Sequence, residues 1–229
     1  MAYGNSFQRT TPIVLNLIII NVLVWFAQLA FGGNEQLNRV NDLFALHHYK
    51  SEVFRPYQLV THMFMHGGLF HLLFNMLALC MFGTMIERVW GPKRFLIFYL
   101  VCGLGAGLAQ MGSYMFDFWQ IDHANISSEL FNEYQTALRI NCTVGASGAI
   151  MGVLAAFGYL FPNTKLFIMP IPVPVKAKWA ILGIIALDVF GGISNTPNDN
   201  IAHFAHIGGA LIGFLIVLYW NKTNKQTFY

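Results

Sequence analysis

The sequence predicts an all-α integral membrane protein, built as a bundle of six membrane-spanning helices. Of its 229 residues 56% are apolar and 10% charged, whereas soluble domains carry about 25% charged residues. Mean hydropathy is +0.53. A helix needs about 20 apolar residues to cross roughly 30 Å of hydrocarbon. Six segments approach that length, and they are residues 12–31, 69–89, 95–116, 144–161, 178–192 and 201–220.

The first segment is a membrane span rather than a signal peptide, because it is long and Asn16 and Asn21 interrupt it. The predicted organisation is a short cytoplasmic N-terminus (1–11), a membrane domain (12–220) with outer loops 32–68 and 117–143, and a cytoplasmic tail (221–229). Nine of the 13 Lys and Arg residues then lie on one side. The positive-inside rule places that side, and both termini, in the cytoplasm.

With this orientation the second, fourth and sixth helices all enter from the outer face. Their first turns carry His71 and Asn75, Ser147, and His203 with His206. At about 1.5 Å per residue these polar groups lie one or two turns below the surface. Ionisable side chains inside a membrane point to function, so we expect a polar site in this layer.

Small residues surround the serine and one histidine. Ser147 stands in Gly145-Ala146-Ser147-Gly148, and His206 is followed by Gly209 and Gly213. Stripes of small residues let membrane helices approach closely. If the two faces meet, the hydroxyl and the imidazole come within hydrogen-bond reach, as activation of a serine nucleophile requires.

These segments, with His71-Leu72-Leu73-Phe74-Asn75, resemble the motifs of the rhomboid intramembrane serine proteases. The resemblance implies a six-helix bundle of rhomboid type in which Ser147 is the nucleophile and His206 its base, without a third, acidic member. It further implies that the backbone N–H of Ser147 and the side chains of His71 and Asn75 stabilise the oxyanion. Glu87 resembles the family's structural polar anchor at the cytoplasmic end.

Two positions depart from the family pattern. Tyr57-Gln58 stands where a Trp-Arg pair is frequent in the first outer loop, and Met151 stands where an aromatic residue often stacks on the catalytic histidine. A thioether contacts a ring edge with less orientation than a stacked ring. Met151 is therefore expected to support the pocket, and the following residues are assigned the same supporting role: Gly145, Gly148, Gly209, Gly213, His66 and His203.

The fourth helix is short. From Ser147 to Phe161 it spans about 22 Å, so it must begin below the membrane surface, and the segment before it is expected to border a wet pocket. Asp188, inside the fifth span, is interpreted as a structural partner rather than a chemical group. Every second residue of 169–174 is a proline. Because such a segment cannot continue a helix, it predicts a stiff cytoplasmic hairpin. Residues 126–138 fit either an amphipathic surface helix or a solvated loop.

No metal or other cofactor is expected. His62 with His66, and His203 with His206, have spacings that zinc could use, but no HExxH motif is present and no acidic residue was expected in their layer. The three cysteines form no CxxC pair, and Cys142 lacks a thiolate-stabilising neighbour. No basic run indicates nucleic-acid binding.

The predicted function is serine endopeptidase cleavage of transmembrane segments in other membrane proteins. The expected partners are transmembrane protein substrates and the lipid bilayer, and the expected location is the bacterial cytoplasmic membrane. Two alternatives stay open: a catalytically silent rhomboid-like protein that binds membrane helices, and a transporter with a histidine-lined path. A soluble α/β-hydrolase is excluded, because Ala149 occupies a position where GxSxG requires glycine.

Overall fold

The computed structural model describes residues 11–31, 40–123, 141–167, 173–194 and 201–223, together with Ser127, Leu130, Tyr134 and Leu138. The predicted all-helical membrane bundle is confirmed. Its helices are α1 (Pro12–Ala30), α2 (Leu69–Trp90), α3 (Pro92–His123), α4 (Ser147–Leu160), α5 (Ala177–Ser194) and α6 (His203–Thr223). Among the described residues, five of these helices are long and apolar enough to cross a membrane, and α4 is the shorter sixth.

The start of α1 is fixed by a carboxylate from another helix. The first N–H groups of a helix lack intrahelical partners, and here Glu87 accepts hydrogen bonds from the backbone N–H groups of Ile13 (2.9 Å) and Val14 (2.8 Å). Glu87 is buried near the end of α2. The carboxylate also complements the positive end of the α1 dipole. Glu87 therefore ties α1 to α2 at this end of the bundle.

The third helix is longer than predicted. α2 ends at Gly91, whose φ of 78° lies in the left-handed region, and Pro92 opens α3 directly after this turn. α3 then continues to His123, so the first part of the predicted outer loop 117–143 is helical. At about 1.5 Å per residue its 32 residues exceed the thickness of the hydrocarbon. The predicted span ended at Phe116 because it was set by hydropathy, and the residues that continue the helix after Phe116 are less apolar.

The short helix α4 forms the centre of the bundle. Every residue from Gly148 to Phe157 is buried, and α6 packs extensively against both α3 and α4. The 14 residues of α4 span about 21 Å. Since this is less than the hydrocarbon thickness, Ser147 at its first position can lie below the surface of the membrane.

The described part of the segment between α1 and α2 is organised around Gln58. Its buried side-chain amide donates to the carbonyls of Asp42 (2.9 Å) and Val53 (3.0 Å), and its carbonyl accepts from the N–H of His47 at 3.4 Å. Gln58, one half of the Tyr57-Gln58 departure, thus cross-links the described residues of this segment by hydrogen bonds. Tyr57 itself is exposed.

The described fold also contains two short helices before α2, at Gln58–Thr61 and His62–Phe64, and two small antiparallel strand pairs. β1 (Leu46–His47) pairs with β2 (Cys142–Thr143), and β3 (Lys165–Leu166) pairs with β4 (Val175–Lys176). The second pair lies on either side of the predicted hairpin, most of which falls outside the described residues. The same holds for most of 126–138, for residues 1–10 and 32–39, and for the tail beyond residue 223.

Candidate active site

Ser147 opens α4 immediately after a tightly held turn. The N–H of Gly145 donates to the carbonyl of His62 at 2.9 Å, and the φ of Gly145 is 128°. A side chain would strain this backbone conformation. It would also collide with the ring of His71, because a Cβ at Gly145 would lie 2.8 Å from Nε2. Gly145 is therefore required by the geometry of the turn that presents Ser147.

The serine hydroxyl and the His206 imidazole are in hydrogen-bond contact. Ser147 Oγ lies 2.7 Å from His206 Nε2. Both residues are partly exposed rather than sealed in the core. A serine hydroxyl held against an imidazole nitrogen is the arrangement from which the imidazole can remove the hydroxyl proton.

Glycines on α4 and α6 make this contact possible. A Cβ at Gly209 would overlap the carbonyl oxygen of Gly148, and a Cβ at Gly213 would lie 2.6 Å from the Cα of Gly152. The backbones of α4 and α6 are thus in contact at two levels, Gly148 with Gly209 and Gly152 with Gly213. This is the close approach of glycine faces that the sequence suggested, and it fixes the separation of the two reactive side chains.

Asp188 on α5 is part of the same cluster. Its Oδ1 lies 2.9 Å from Nδ1 of His206 and 2.8 Å from Nδ1 of His203. The expectation that this layer holds no acidic residue is therefore wrong for this chain. The sequence placed Asp188 in the fifth span. It did not show how that helix is rotated about its axis, and this rotation brings the carboxylate to α6.

His71 lies close to the serine. Its Nδ1 accepts a long hydrogen bond from the N–H of Gly67 (3.4 Å), which leaves Nε2 as the N–H donor. A Cβ at Gly145 would lie 2.8 Å from this Nε2 and 3.5 Å from Ser147 Oγ. His71 Nε2 therefore lies near the serine hydroxyl, with Gly145 between them.

Asn75 is buried one turn further along α2, and its Nδ2 donates to the carbonyl of His71 at 2.9 Å. Within the described part of the chain, no hydrogen bond joins Asn75 to Ser147. Its second N–H and its Oδ1 are left for other partners. The structure brings His71 close to the serine and joins Asn75 to the backbone of His71.

His66 supports His71 from the segment just before α2. The two rings meet edge to face with centroids 5.1 Å apart. The His66 backbone and the buried Gln28 side chain of α1 exchange two hydrogen bonds of 3.1 Å. Burial, with His71 nearby, lowers the pKa of His66 to about 4, so it is neutral at pH 7. Sequence reasoning missed Gln28, whose only signal is an amide within an apolar span.

The remaining predicted residues occupy distinct positions. Met151 is buried in the core one turn after Ser147, whereas Glu87 lies at the opposite end of the bundle and anchors α1. His62 is buried, and its Nδ1 lies 2.8 Å from the carbonyl oxygen of Gln58. Burial raises the pKa of Cys142 to about 11, so its thiol is a poor nucleophile at neutral pH.

Comparison with known proteins agrees with these motifs. A family model described as the Rhomboid domain matches residues 53–222, which is most of the chain. The chain belongs to the rhomboid family. This rhomboid is a multi-pass integral membrane protein, as its helices and its family both indicate.

Its relatives include named proteases. The chain is 30% identical to Rhomboid protease AarA of Providencia stuartii, covering 89% of this chain and 70% of that protein. It is 30% identical to Rhomboid protease GluP of Bacillus subtilis, covering 91% and 35%, and 31% identical to the mitochondrial Rhomboid protein 1 of Saccharomyces cerevisiae, covering 71% and 41%. This rhomboid therefore spans less than half the length of the last two relatives.

Proposed function

We propose that Ser147 and His206 carry out peptide-bond hydrolysis in this rhomboid. The chain is an intramembrane serine protease by its family and by its resemblance to the proteases AarA and GluP. The observation that carries the residue assignment is the 2.7 Å contact between Ser147 Oγ and His206 Nε2. The contact pairs the hydroxyl with a base in a partly exposed layer, where water can enter.

The reaction follows from this pair. His206 Nε2 takes the hydroxyl proton while Ser147 Oγ attacks the substrate carbonyl, and His206 then returns the proton to the leaving amine. Water, deprotonated by the same nitrogen, attacks the acyl-enzyme; the bond to Ser147 Oγ breaks, Oγ takes the proton from His206 Nε2, and the second product is released as a carboxylic acid. Each half of the reaction thus begins and ends with Nε2 unprotonated.

The oxyanion forms at the start of α4. The backbone N–H of Ser147 has no partner within the helix, like the first N–H groups of any helix, and His71 Nε2 lies near the serine hydroxyl. Asn75 donates one amide N–H to the carbonyl of His71, and in this proposal its second N–H joins the other donors. Donors positioned in this way are worth about 3–4 kcal/mol each in serine proteases.

The substrates proposed are membrane-spanning segments of other proteins, taken from the bilayer. A regular helix hides its carbonyls in hydrogen bonds, so the cleaved segment must be weakly helical, rich in Gly or Pro. The Lys and Arg distribution supports both termini in the cytoplasm. The named bacterial relatives support a bacterial cytoplasmic membrane.

The test is cleavage of a reconstituted transmembrane substrate in proteoliposomes. The wild type should cleave a segment that contains a Gly-Pro break and spare a matched polyleucine segment. Ser147→Ala should abolish cleavage, and Ser127→Ala, which changes an exposed serine, should cleave like the wild type. Undiminished cleavage by Ser147→Ala would overturn the assignment, and a wild type inactive on every segment would favour the silent, helix-binding alternative.

A further inference from the structure

Asp188, His203 and His206 form one hydrogen-bonded cluster that joins α5 to α6. A single oxygen, Asp188 Oδ1, lies within 2.9 Å of Nδ1 on both imidazoles. The side chains of all three are largely buried, with exposed fractions of 9% for Asp188, 11% for His203 and 17% for His206. A carboxylate at this depth is costly unless it is paired, and the two ring N–H groups provide the pairing.

The cluster fixes the protonation pattern of His206. A carboxylate only accepts hydrogen bonds, so Nδ1 of His206 must carry its proton. Nε2 is then the unprotonated nitrogen, and it is the one that faces Ser147 Oγ at 2.7 Å. Asp188, which contacts the ring nitrogen that does not face the serine, thus selects the tautomer in which Nε2 can act as the base.

We propose that Asp188 is a positioning residue that completes a Ser147–His206–Asp188 triad in this chain. The inference rests on the proposed function of Ser147 and His206. When His206 takes the serine proton, the imidazolium forms against a carboxylate that is already in place, and the proton remains on His206 until it passes to the leaving amine. Asp188 exchanges no proton; it holds the ring and stabilises its charge.

His203 holds the carboxylate in turn. Gly191, three residues after Asp188 on α5, has no side chain, and a Cβ there would overlap the His203 ring. The ring can therefore rest on α5 and donate Nδ1–H to Asp188. The N-terminus of α6 is also tied to α3, since Gln110 accepts the N–H of Ala205 at 3.3 Å. These contacts fix the direction from which Asp188 approaches His206.

The charged and titratable groups around His206 come from three helices. They are Asp188 on α5, His203 on its own helix, and His71 on α2, which interacts with it electrostatically. From α3 the polar neighbour described is the uncharged Gln110. Asp188 therefore provides the negative charge next to the imidazolium among the described residues.

The decisive variant is Asp188→Asn, which keeps the shape and the hydrogen-bonding capacity. Its amide can donate to Nδ1 and so favours the wrong tautomer of His206. We expect kcat on a transmembrane substrate to fall by about 10²–10⁴-fold while KM changes less than about threefold. Reaction with a fluorophosphonate probe should slow in parallel. In ¹⁵N-histidine NMR spectra, the Nδ1–H signal of His206 should be lost or shifted.

Controls separate this inference from the proposed function and from a structural role. Asp117→Asn, on α3, removes an acid outside the cluster and should leave kcat unchanged. His203→Ala should lower kcat less than Asp188→Asn, because Asp188 keeps its contact with His206. If Asp188→Asn lowers only the melting temperature and is phosphonylated at the wild-type rate, the triad is overturned while the Ser147 assignment stands. If wild type and Ser147→Ala are equally inactive, the proposed function itself fails.

Discussion

The backbones of α4 and α6 are in direct contact at Gly148 and Gly209. The space beyond Gly209 is occupied by the carbonyl oxygen of Gly148, so no side chain fits between them. One turn along the same two helices, Gly152 and Gly213 meet in the same way. The distance between Ser147 and His206 is therefore set by backbone contact, which is stiffer than contact through flexible side chains.

Gly209→Ala should separate these helices. The added methyl group must displace the backbone of α4, and overpacking of this kind costs about 1–3 kcal/mol. We expect a lower melting temperature in detergent and a loss of at least tenfold in kcat. Gly183→Ala on α5 is the matched control, because its Cβ would meet no atom within 4 Å, and it should be neutral or slightly stabilising. Equal behaviour of the two variants would contradict a packing role for Gly209.

Glu87→Ala should destabilise the fold while sparing the chemistry. The change leaves the N–H groups of Ile13 and Val14 unpaired, at a cost of about 1–3 kcal/mol for each buried donor. The melting temperature should fall by several degrees, and kcat at low temperature should stay near the wild-type value, because Glu87 lies at the opposite end of the bundle from Ser147. The control Glu52→Ala changes an exposed acid and should shift the melting temperature little. A variant that is fully stable yet inactive would refute the anchoring role.

Much of this arrangement follows from patterns along the chain. The helices are visible as apolar runs, and the shared layer of Ser147 and His206 follows from counting residues into alternate helices. The spacing of the glycines indicated which helix faces meet, because two helix backbones can touch only where neither residue has a side chain. These features depend on one helix at a time or on the direction in which it crosses the membrane.

Other features depend on how one element is rotated against another. The hydrogen bonds between Gln28 and His66 join residues 38 positions apart, and no periodicity marks them. Asp188 sits in a span whose apolar residues surround the helix, so sequence gives no reason for it to face His206 rather than a different neighbour. Gln58 looked like a departure from the family pattern, and its role as a hydrogen-bonding centre emerged only with the loop around it.

Asn75→Ala should lower kcat more than it raises KM. A donor to the oxyanion binds most strongly in the transition state, and loss of one such donor costs about 10²–10³-fold in kcat. In the structure Asn75 bonds to the carbonyl of His71, so reaching the oxyanion requires its second N–H. Steady-state kinetics on one transmembrane substrate would measure both constants. Equal changes in kcat and KM would instead assign Asn75 to holding α2 in shape.

Acid should destabilise the segment before α2 through its two buried histidines. Burial lowers the pKa of His62 and of His66 from 6.5 to about 4. Between these values the unfolded chain binds more protons than the folded protein, so stability is complete above pH 6.5 and falls as the pH drops toward 4. The melting temperature in detergent should therefore decrease from pH 7 to pH 4.5.

His66→Phe isolates one of these groups. Neither ring nitrogen of His66 has a hydrogen-bond partner among the described residues, so an aromatic ring of similar shape should be tolerated at pH 7. The variant should lose less stability than the wild type between pH 7 and pH 4.5. An identical or larger loss would show that His66 does not titrate as a buried neutral group.

Mapping of a covalent fluorophosphonate adduct tests the central claim most directly. The wild-type protein in detergent is treated with the probe, digested, and analysed by mass spectrometry. The account predicts one adduct, on the peptide that contains Ser147, and its loss when His206 is replaced by Ala in a protein that still melts cooperatively. An adduct on a different residue, or undiminished labelling of Ser147 without His206, would contradict it.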